Sequence, residues 1–544
     1  MADGFRISTA NQRVFGLPSL RRASLHRALL LVVTLLLMAG CSDDDSNTGS
    51  MNTPTQPPTP TSTATPTDTA TPTPTPTPSV PNPTVDGPIL EPGSPFIQST
   101  AFELSMVGYM RQEYFLSGTA RAYTNVGELE SDGKWVVATG ESAPYETRIL
   151  VYRPIDAEQF NGSAVIEWLN VSGGLDAAPD WTSAHTELIR EGWAWVGVSA
   201  QFVGVEGTGG PGPIPGLPDL SLKSINPDRY GSLSHPGDSF SYDIFSQVAQ
   251  AIRYPMGTNP LDGLAHERLI ASGESQSAFR LVTYVNAVHP VVGLYDGFLI
   301  HSRGSGSAGI SQAPLEVIST PSIVRIRDDL DVPVLMFQTE TDLLLLGSLA
   351  DRQPDGPLFR LWEVAGTAHA DRYTLQVGFN DLGDSIEAAQ VIEDPAPIPP
   401  FIVCDQPINS GPQHFVLKAA FAALDRWIRD GTPPPTAPRL EVGGDPAEFV
   451  LDDQGNVRGG IRTPYVDVPI AKLSGLGQTG GAFCRLFGTT ELFDDEVLAS
   501  LYPDHETYVS AVSEATNTAV EEGFILEADA DLIKAAAEVF EIGM

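Results

Sequence analysis

Basic side chains are scarce in this sequence of 544 residues. Lysine and arginine together number 31, against 68 aspartates and glutamates, and the formal net charge is −37. A chain with this balance repels nucleic acid and anionic lipid head groups, and the same charge favours solubility. We therefore exclude nucleic acid as a partner.

Motifs that bind metals or nucleotides are also missing. The sequence contains no His-Glu-x-x-His, no Walker lysine loop and no Gly-x-Gly-x-x-Gly that opens a helix. Asp529 and Asp531 do not form a calcium loop, because the glycine and the closing bidentate acid of such a loop are absent. The sequence therefore predicts a function without a metal ion or a cofactor.

The one notable apolar run near the N-terminus is short. It covers residues 28–38 and is too short for a comfortable membrane-spanning helix. Three arginines precede it: Arg21, Arg22 and Arg27. The run leads into Ala-Gly-Cys41, so residues 1–40 resemble a bacterial lipoprotein signal whose removal leaves a lipidated Cys41. The alternative is a cleaved secretory signal with a free Cys41. We expect an exported protein of the bacterial cell envelope that contacts the membrane only through this lipid.

Cysteine is rare, and only Cys404 and Cys484 remain after Cys41. In an exported protein, two remaining cysteines are candidates for one disulfide. Such a bond would join the segment after the core to the C-terminal region. The alternative is a pair of unrelated buried thiols.

Composition divides the rest of the chain into three parts. Residues 41–95 are dominated by threonine and proline, which cannot bury a core and predict an extended stalk. Residues 96–435 alternate predicted strands with helices, the order that is typical of a parallel sheet. A long Gly/Pro-rich stretch at 204–237 is expected to lie over the active site. Residues 436–544 are predicted to form an accessory hairpin and a helical tail packed on the core.

Ser275 is the candidate nucleophile. An apolar strand leads into Gly-Glu-Ser275-Gln-Ser, and a helical pattern follows, which is the order of a nucleophile elbow. A second Gly-Glu-Ser string ends at Ser142, but it lacks the buried strand and proline follows nearby, so we predict a loop there. Without partners, Ser275 could equally be a structural serine that caps a helix.

The partners follow in the order acid and then histidine. The predicted strand at 334–337 is followed by Gln-Thr-Glu340-Thr-Asp342, a carboxylate cluster where α/β enzymes place working residues. Asp342 is the predicted orienting acid, and Glu340 is the alternative. The strand at 358–364 leads into a small-residue loop that contains His369, the predicted general base. Of the other histidines, His235 and His301 could reach the site, but neither follows the acid.

These residues together predict acyl transfer. Ser275 would attack a carbonyl carbon, His369 would accept and return the proton, and Asp342 would hold the imidazole tautomer. The developing oxyanion needs two donors. The amide of Gln276 at the helix start is one candidate, and the amide of Val171 or Ser172 in the loop after residue 170 is the other.

Four segments resemble the bacterial "alpha/beta hydrolase domain" family of exported serine hydrolases. They are residues 108–118 (GYMRQEYFLSG), 167–174 (EWLNVSGG), 272–277 (SGESQS) and 366–369 (GTAH). The resemblance extends from residue 96 to the C-terminus. It implies an α/β-hydrolase fold, with a mostly parallel central sheet flanked by helices and long loop insertions, and it implies hydrolysis of carboxylic esters. Ser277 stands where glycine is commoner, which could tighten the elbow.

The expected function is that of an exported serine esterase acting on a small-molecule or polymeric acyl substrate. Two alternatives remain open. An amidase, peptidase or acyltransferase would use the same triad, because the leaving group and the acceptor leave no mark on these residues. A catalytically idle, hydrolase-like surface binding protein would keep the fold without turnover.

Overall fold

The computed structural model describes residues 80–208, 218–399 and 402–542. The expectations for the signal, for Cys41, for the stalk up to residue 79 and for residues 209–217 of the long loop lie outside these ranges. No helix within the described ranges is both long and apolar enough to cross a bilayer.

A nine-stranded sheet forms the centre of the molecule, in the order β1-β2-β3-β5-β4-β6-β7-β8-β9. Its strands are β1 (Thr84–Asp86), β2 (Tyr109–Asn125), β3 (Val137–Pro154), β4 (Ser163–Trp168), β5 (Ala194–Val198), β6 (Arg268–Glu274), β7 (Gly297–His301), β8 (Val334–Thr339) and β9 (Phe359–Val364). The pairs from β1 to β3, and β3 with β5, are antiparallel. The pairs from β5 across to β9 are all parallel. This confirms the predicted mostly parallel sheet.

Helices cover both faces of the sheet. The longer ones of the core are α1 (Pro179–Arg190), α5 (Ser241–Arg253), α6 (Gln276–Thr283) and α9 (Gln413–Asp430). Short ones are α2 (Phe202–Glu206), α3 (Leu222–Ile225), α4 (Pro227–Tyr230), α7 (His289–Val292) and α8 (Glu340–Leu344). Single 3₁₀ turns lie at Leu104–Val107, Ala157–Gln159, Asp238–Phe240, Ser348–Asp351, Ile386–Ala389 and Cys484–Leu486, and π-helical turns lie at Tyr284–Val288 and Tyr373–Val377.

Side chains of one strand alternate between two apolar cores. In β4, Ile166 packs into the core that α5 and α6 close, whereas Val165 packs into the core that α1 and α9 close. Every residue of β4, β6 and β8 is buried. Burial on both faces is the reason why these strands show apolar runs in the sequence instead of a polar alternation. The carboxyl ends of these strands therefore meet along one edge, with helices on either side.

The C-terminal region packs against the core. It contains β10 (Val442–Gly443), β11 (Glu448–Phe449), β12 (Ala471–Ser474), β13 (Thr489–Leu492), α10 (Pro464–Asp467), α11 (Asp495–Leu501), α12 (His505–Glu521) and α13 (Glu527–Val539). The buried ammonium of Lys418 in α9 donates to Asp529 in α13 at 3.2 Å. Cys404 and Cys484 form the expected disulfide, with 5.6 Å between their Cα atoms.

The structure corrects two details of the sequence interpretation. The folded domain begins before residue 96, because Val80 and Val85 are buried in the main core and β1 pairs with β2. The predicted stalk therefore ends earlier than residue 95. The string ending at Ser142 lies within β3, opposite Arg121, and not in a loop. The loop prediction is wrong because the first part of this 18-residue strand is solvent-exposed. It therefore lacks the apolar pattern of a buried strand.

Candidate active site

Ser275 occupies a sharp turn between β6 and α6. Its φ of 57° and ψ of −118° lie outside the regions that non-glycine residues usually occupy. Its amide donates to the carbonyl of His301 at 2.9 Å, which holds the turn to the neighbouring strand. The backbone also passes close to itself, since a Cβ at Gly273 would lie 3.2 Å from Ser277. The strained serine at the end of a buried strand fits the predicted elbow.

Ser275, His369 and Asp342 form a continuous chain of hydrogen bonds. His369 Nε2 lies 2.9 Å from Ser275 Oγ, and His369 Nδ1 lies 2.5 Å from Asp342 Oδ1. With its proton on Nδ1, the ring donates to Asp342 and accepts the serine hydroxyl proton at Nε2. Relative exposure is 9% for Ser275, 2% for His369 and 0% for Asp342, so the serine is the most accessible member. The arrangement can transfer a proton from the hydroxyl to the ring.

The carboxylate of Asp342 is held from its other side as well. Its Oδ2 accepts from the amide of Thr339 at 2.7 Å and from the hydroxyl of Thr339 at 2.8 Å. Asp342 is thus the third residue of α8 and closes a capping box with Thr339, which precedes the helix. Because both oxygens are engaged, the carboxylate has a fixed position from which it can orient the imidazole.

Glu340, the alternative acid, faces different partners. Its Oε1 accepts from the amide of Gly366 at 2.6 Å and its Oε2 from the amide of Gly475 at 2.8 Å. Burial raises the pKa of Glu340 to about 7. Glu340 therefore joins the loop that contains His369 to the C-terminal region, while Asp342 contacts the histidine.

Sequence reasoning missed the role of Thr341, which lies between the two acids. Its hydroxyl accepts from the amide of His369 at 3.1 Å and donates to the carbonyl of Gly475 at 2.7 Å. The first three residues of α8 therefore all support the site. The polar cluster at the end of β8 was the visible signal, but the direction of each side chain depends on the short helix that follows.

The oxyanion candidates lie on both sides of the elbow. Gln276 is the first residue of α6, and amides in the first turn of a helix have no intrahelical partner. The amide of Ser172 donates to Asn170 Oδ1 at 2.8 Å, so it is already engaged. Of the two residues left open by the sequence, Val171 is therefore the better second donor. Asn170 Nδ2 donates to the carbonyl of Glu274 at 3.2 Å and keeps this loop against the elbow.

A group of buried acids under the elbow was also missed. Glu274 Oε1 lies 3.4 Å from His369 Nε2, and its Oε2 accepts from Asn170 Nδ2 at 3.2 Å. The pKa of Glu274 is raised well above its usual value, mainly by burial. Asp180 Oδ1 lies 2.8 Å from Nδ1 of His301. Nothing in the sequence pattern distinguished these acids from solvated ones, because their burial depends on packing between strands.

The other candidate groups have structural partners. His235 Nε2 lies 2.9 Å from the carbonyl of Ala200, and His301 faces Asp180. In the parts of the chain that the structure describes, no group of three or more His, Cys, Asp or Glu side chains is placed to hold a metal ion.

Comparison with known proteins gives one family. The family model described as "alpha/beta hydrolase domain" matches residues 72–535. A search of curated proteins finds no match.

Several solved structures are distantly similar to this chain. A glucuronoyl esterase from Solibacter usitatus is 7% identical, with 61% of this chain and 78% of that chain covered and a TM-score of 0.27. A glucuronoyl esterase from Teredinibacter turnerae T7901 is 11% identical, with coverages of 52% and 74% and a TM-score of 0.25. An esterase from Pyrococcus furiosus is 9% identical, with coverages of 49% and 86% and a TM-score of 0.25.

Proposed function

Because the chain belongs to the alpha/beta hydrolase domain family, we propose that it is a serine hydrolase that cleaves carboxylic esters through Ser275, His369 and Asp342. The observation that supports this most is the unbroken set of hydrogen bonds from the Ser275 hydroxyl through the His369 ring to Asp342. A serine hydroxyl is a weak nucleophile, and this arrangement supplies the base that it needs.

The reaction would proceed in two halves. Ser275 Oγ attacks the carbonyl carbon while His369 Nε2 takes the hydroxyl proton, and Asp342 stabilises the resulting imidazolium. The intermediate then expels the alcohol, which takes the proton from Nε2 and leaves an acyl group on Ser275. In the second half, water attacks the acyl carbon, and His369 takes a proton from the water and returns it to Ser275.

The amides of Gln276 and Val171 would stabilise the negative oxygen of each tetrahedral intermediate. Fixed amide donors cost no reorganisation when the charge develops, and loss of one donor typically costs about 100- to 1000-fold in turnover. The hydrogen bond from Asn170 to the Glu274 carbonyl supports this proposal, because it fixes the loop of Val171 beside the turn that bears Ser275.

A fluorophosphonate probe tests the proposal on the full chain. We expect the native protein to be labelled and Ser275→Ala to lose labelling, because the probe reacts with an activated serine. Ser142→Ala is the matched control, since Ser142 follows the same Gly-Glu pair but is exposed on β3. This control should label like the native protein. Native protein without labelling would contradict the proposal and favour an idle binding protein.

A panel of acyl esters and the corresponding amides, assayed with the native protein, separates esterase from amidase. We expect ester turnover that depends on Ser275 and little amide turnover. Faster cleavage of the amides would favour the amidase or peptidase alternative, with the same triad.

We also propose that the enzyme is exported and attached to the cell envelope through a lipid on Cys41. The arginines and the short apolar run before Ala-Gly-Cys41 support this proposal.

A further inference from the structure

We propose that Glu274 is a positioning residue whose carboxyl group stays protonated, so that no negative charge lies beside Nε2 of His369. This inference rests on the proposed function. The His369 ring lies between two carboxyl groups, with Asp342 Oδ1 at 2.5 Å from Nδ1 and Glu274 Oε1 at 3.4 Å from Nε2. Ser275 Oγ shares the Nε2 side with Glu274, at 2.9 Å.

The surroundings of Glu274 favour its neutral form. Its side chain is 2% exposed, and Asn170 Nδ2 is the neighbour that donates to it, through Oε2. Oε1 has no hydrogen-bond partner among the described residues. Asp342 differs in this respect, because donors reach both of its oxygens. A carboxylate that is buried with few donors has a large desolvation penalty and binds a proton instead.

Neighbouring charges act in the same direction. Burial raises the pKa of Glu274 most, and three nearby carboxyl groups raise it further: Asp180, Asp342 and Glu167. The titratable side chains that face this region come from several elements: Glu167 of β4, Asp180 of α1, His301 of β7, Asp342 of α8 and His369 of the loop after β9. Two of the acids have their own partners, since His301 faces Asp180 and Glu167 accepts from the amides of Asp180 and Trp181.

The proton on Glu274 matters when His369 is an imidazolium. In each half of the reaction, the Nε2–H must reach the leaving oxygen or return to Ser275. A neutral carboxyl beside Nε2 competes weakly for this hydrogen. An ionised Glu274 would attract the Nε2–H of the imidazolium as an ion pair. It would also repel the negative oxygen of the tetrahedral intermediate. Turnover should therefore fall when Glu274 loses its proton, which produces an alkaline limb in the pH profile.

The test is the pH dependence of kcat/KM for an activated ester, measured with native protein and with Glu274→Gln. The glutamine has the same length, accepts from Asn170 and cannot ionise. We expect the variant to remain active at neutral pH and to lack the alkaline limb. At one pH unit above the native midpoint, native activity should be about tenfold below its plateau, while that of the variant stays at its plateau. A role in packing alone would leave the two profiles parallel.

Further measurements distinguish failure of the Glu274 proposal from failure of the proposed function. If Glu274→Gln does not fold, Glu274→Met replaces it with the same expectation, since methionine is uncharged and of similar length. Infrared difference spectra of the native protein across the midpoint should show loss of a protonated-carboxyl band that the variant lacks. An unchanged alkaline limb in the variant, with turnover still dependent on Ser275, would overturn the role of Glu274 alone. Turnover independent of Ser275 would overturn both this inference and the proposed function.

Discussion

Asp342 and Glu340 are two residues apart on the same short helix, yet only Asp342 contacts His369. We expect Asp342→Asn to lower kcat by about 10,000-fold with the fold retained, because an amide no longer fixes the imidazole tautomer or stabilises its cation. The measurement is ester turnover, with circular dichroism as the check on folding.

Glu340→Gln is the comparison variant for this prediction. Its amide nitrogen would face the N–H of Gly366 or of Gly475, so one buried hydrogen bond is lost. We expect a loss of about 1–3 kcal/mol in the free energy of unfolding. The folded fraction should keep a kcat far above that of Asp342→Asn. If Glu340→Gln instead abolishes turnover at unchanged stability, the assignment of the acid is wrong.

The sequence identified candidates at strand ends better than the residues beneath them. Ser275, Asp342 and His369 were predicted because each follows an apolar strand, and parallel strands bring such positions to one edge. Glu274 lies on the same strand end, but a glutamate before the serine could equally be solvated. It is buried in the fold, and the groups that act on it there, Asn170 and Asp180, belong to other elements, so only the folded arrangement reveals its surroundings.

Helix α8 and the loop that contains His369 both rest on the C-terminal region through Gly475. A Cβ at this position would lie 2.6 Å from the Cβ of Glu340, from the amide nitrogen of Thr341 and from the carbonyl oxygen of Thr367. We expect Gly475→Ala to displace α8 relative to the loop and to reduce kcat strongly, because small displacements of catalytic groups cost about 100-fold. The measurement is kcat beside the melting temperature.

Gly481→Ala is the matched control, since it lies in the same stretch and a Cβ there meets nothing within 4 Å. It should leave both quantities unchanged. Equal kcat for Gly475→Ala and the native protein would show that the C-terminal region does not position the site.

Local patterns located the helices well and the first strand poorly. The helix Gln413–Asp430 can be located from the sequence, because its apolar positions recur at helical spacing and a glycine follows it. Strand β1 has three residues and follows the Thr/Pro-rich segment. Its stability comes from pairing with residues 115–117 of β2, and a partner distant along the chain leaves no mark on a local pattern.

At the scale of the whole molecule, the C-terminal region packs on the α/β core and forms one folded unit with it. Phe524 packs on Trp362 of β9 with 5.2 Å between ring centroids, and the region contributes an apolar core of its own around α12 and α13. The buried pair of Lys418 and Asp529 links it to α9. The sequence could predict that this region packs on the core, but not that it supports the loop of His369.

The proposed lipid on Cys41 leads to a prediction about location. We expect Cys41→Ser to move the protein from the membrane fraction to the soluble exported fraction, because serine cannot accept the thioether-linked lipid. Turnover of a soluble ester should not change, since all three residues of the proposed triad lie in the described fold, away from Cys41 in the sequence.

The measurement is cell fractionation together with the mass of the mature N-terminal peptide. Ser42 directly follows the cysteine, so Ser42→Ala is the neighbouring control. It should stay with the membrane, because it keeps the thiol that receives the lipid. If Cys41→Ser also stays in the membrane fraction, another feature of the chain anchors it and the proposed lipid attachment is wrong.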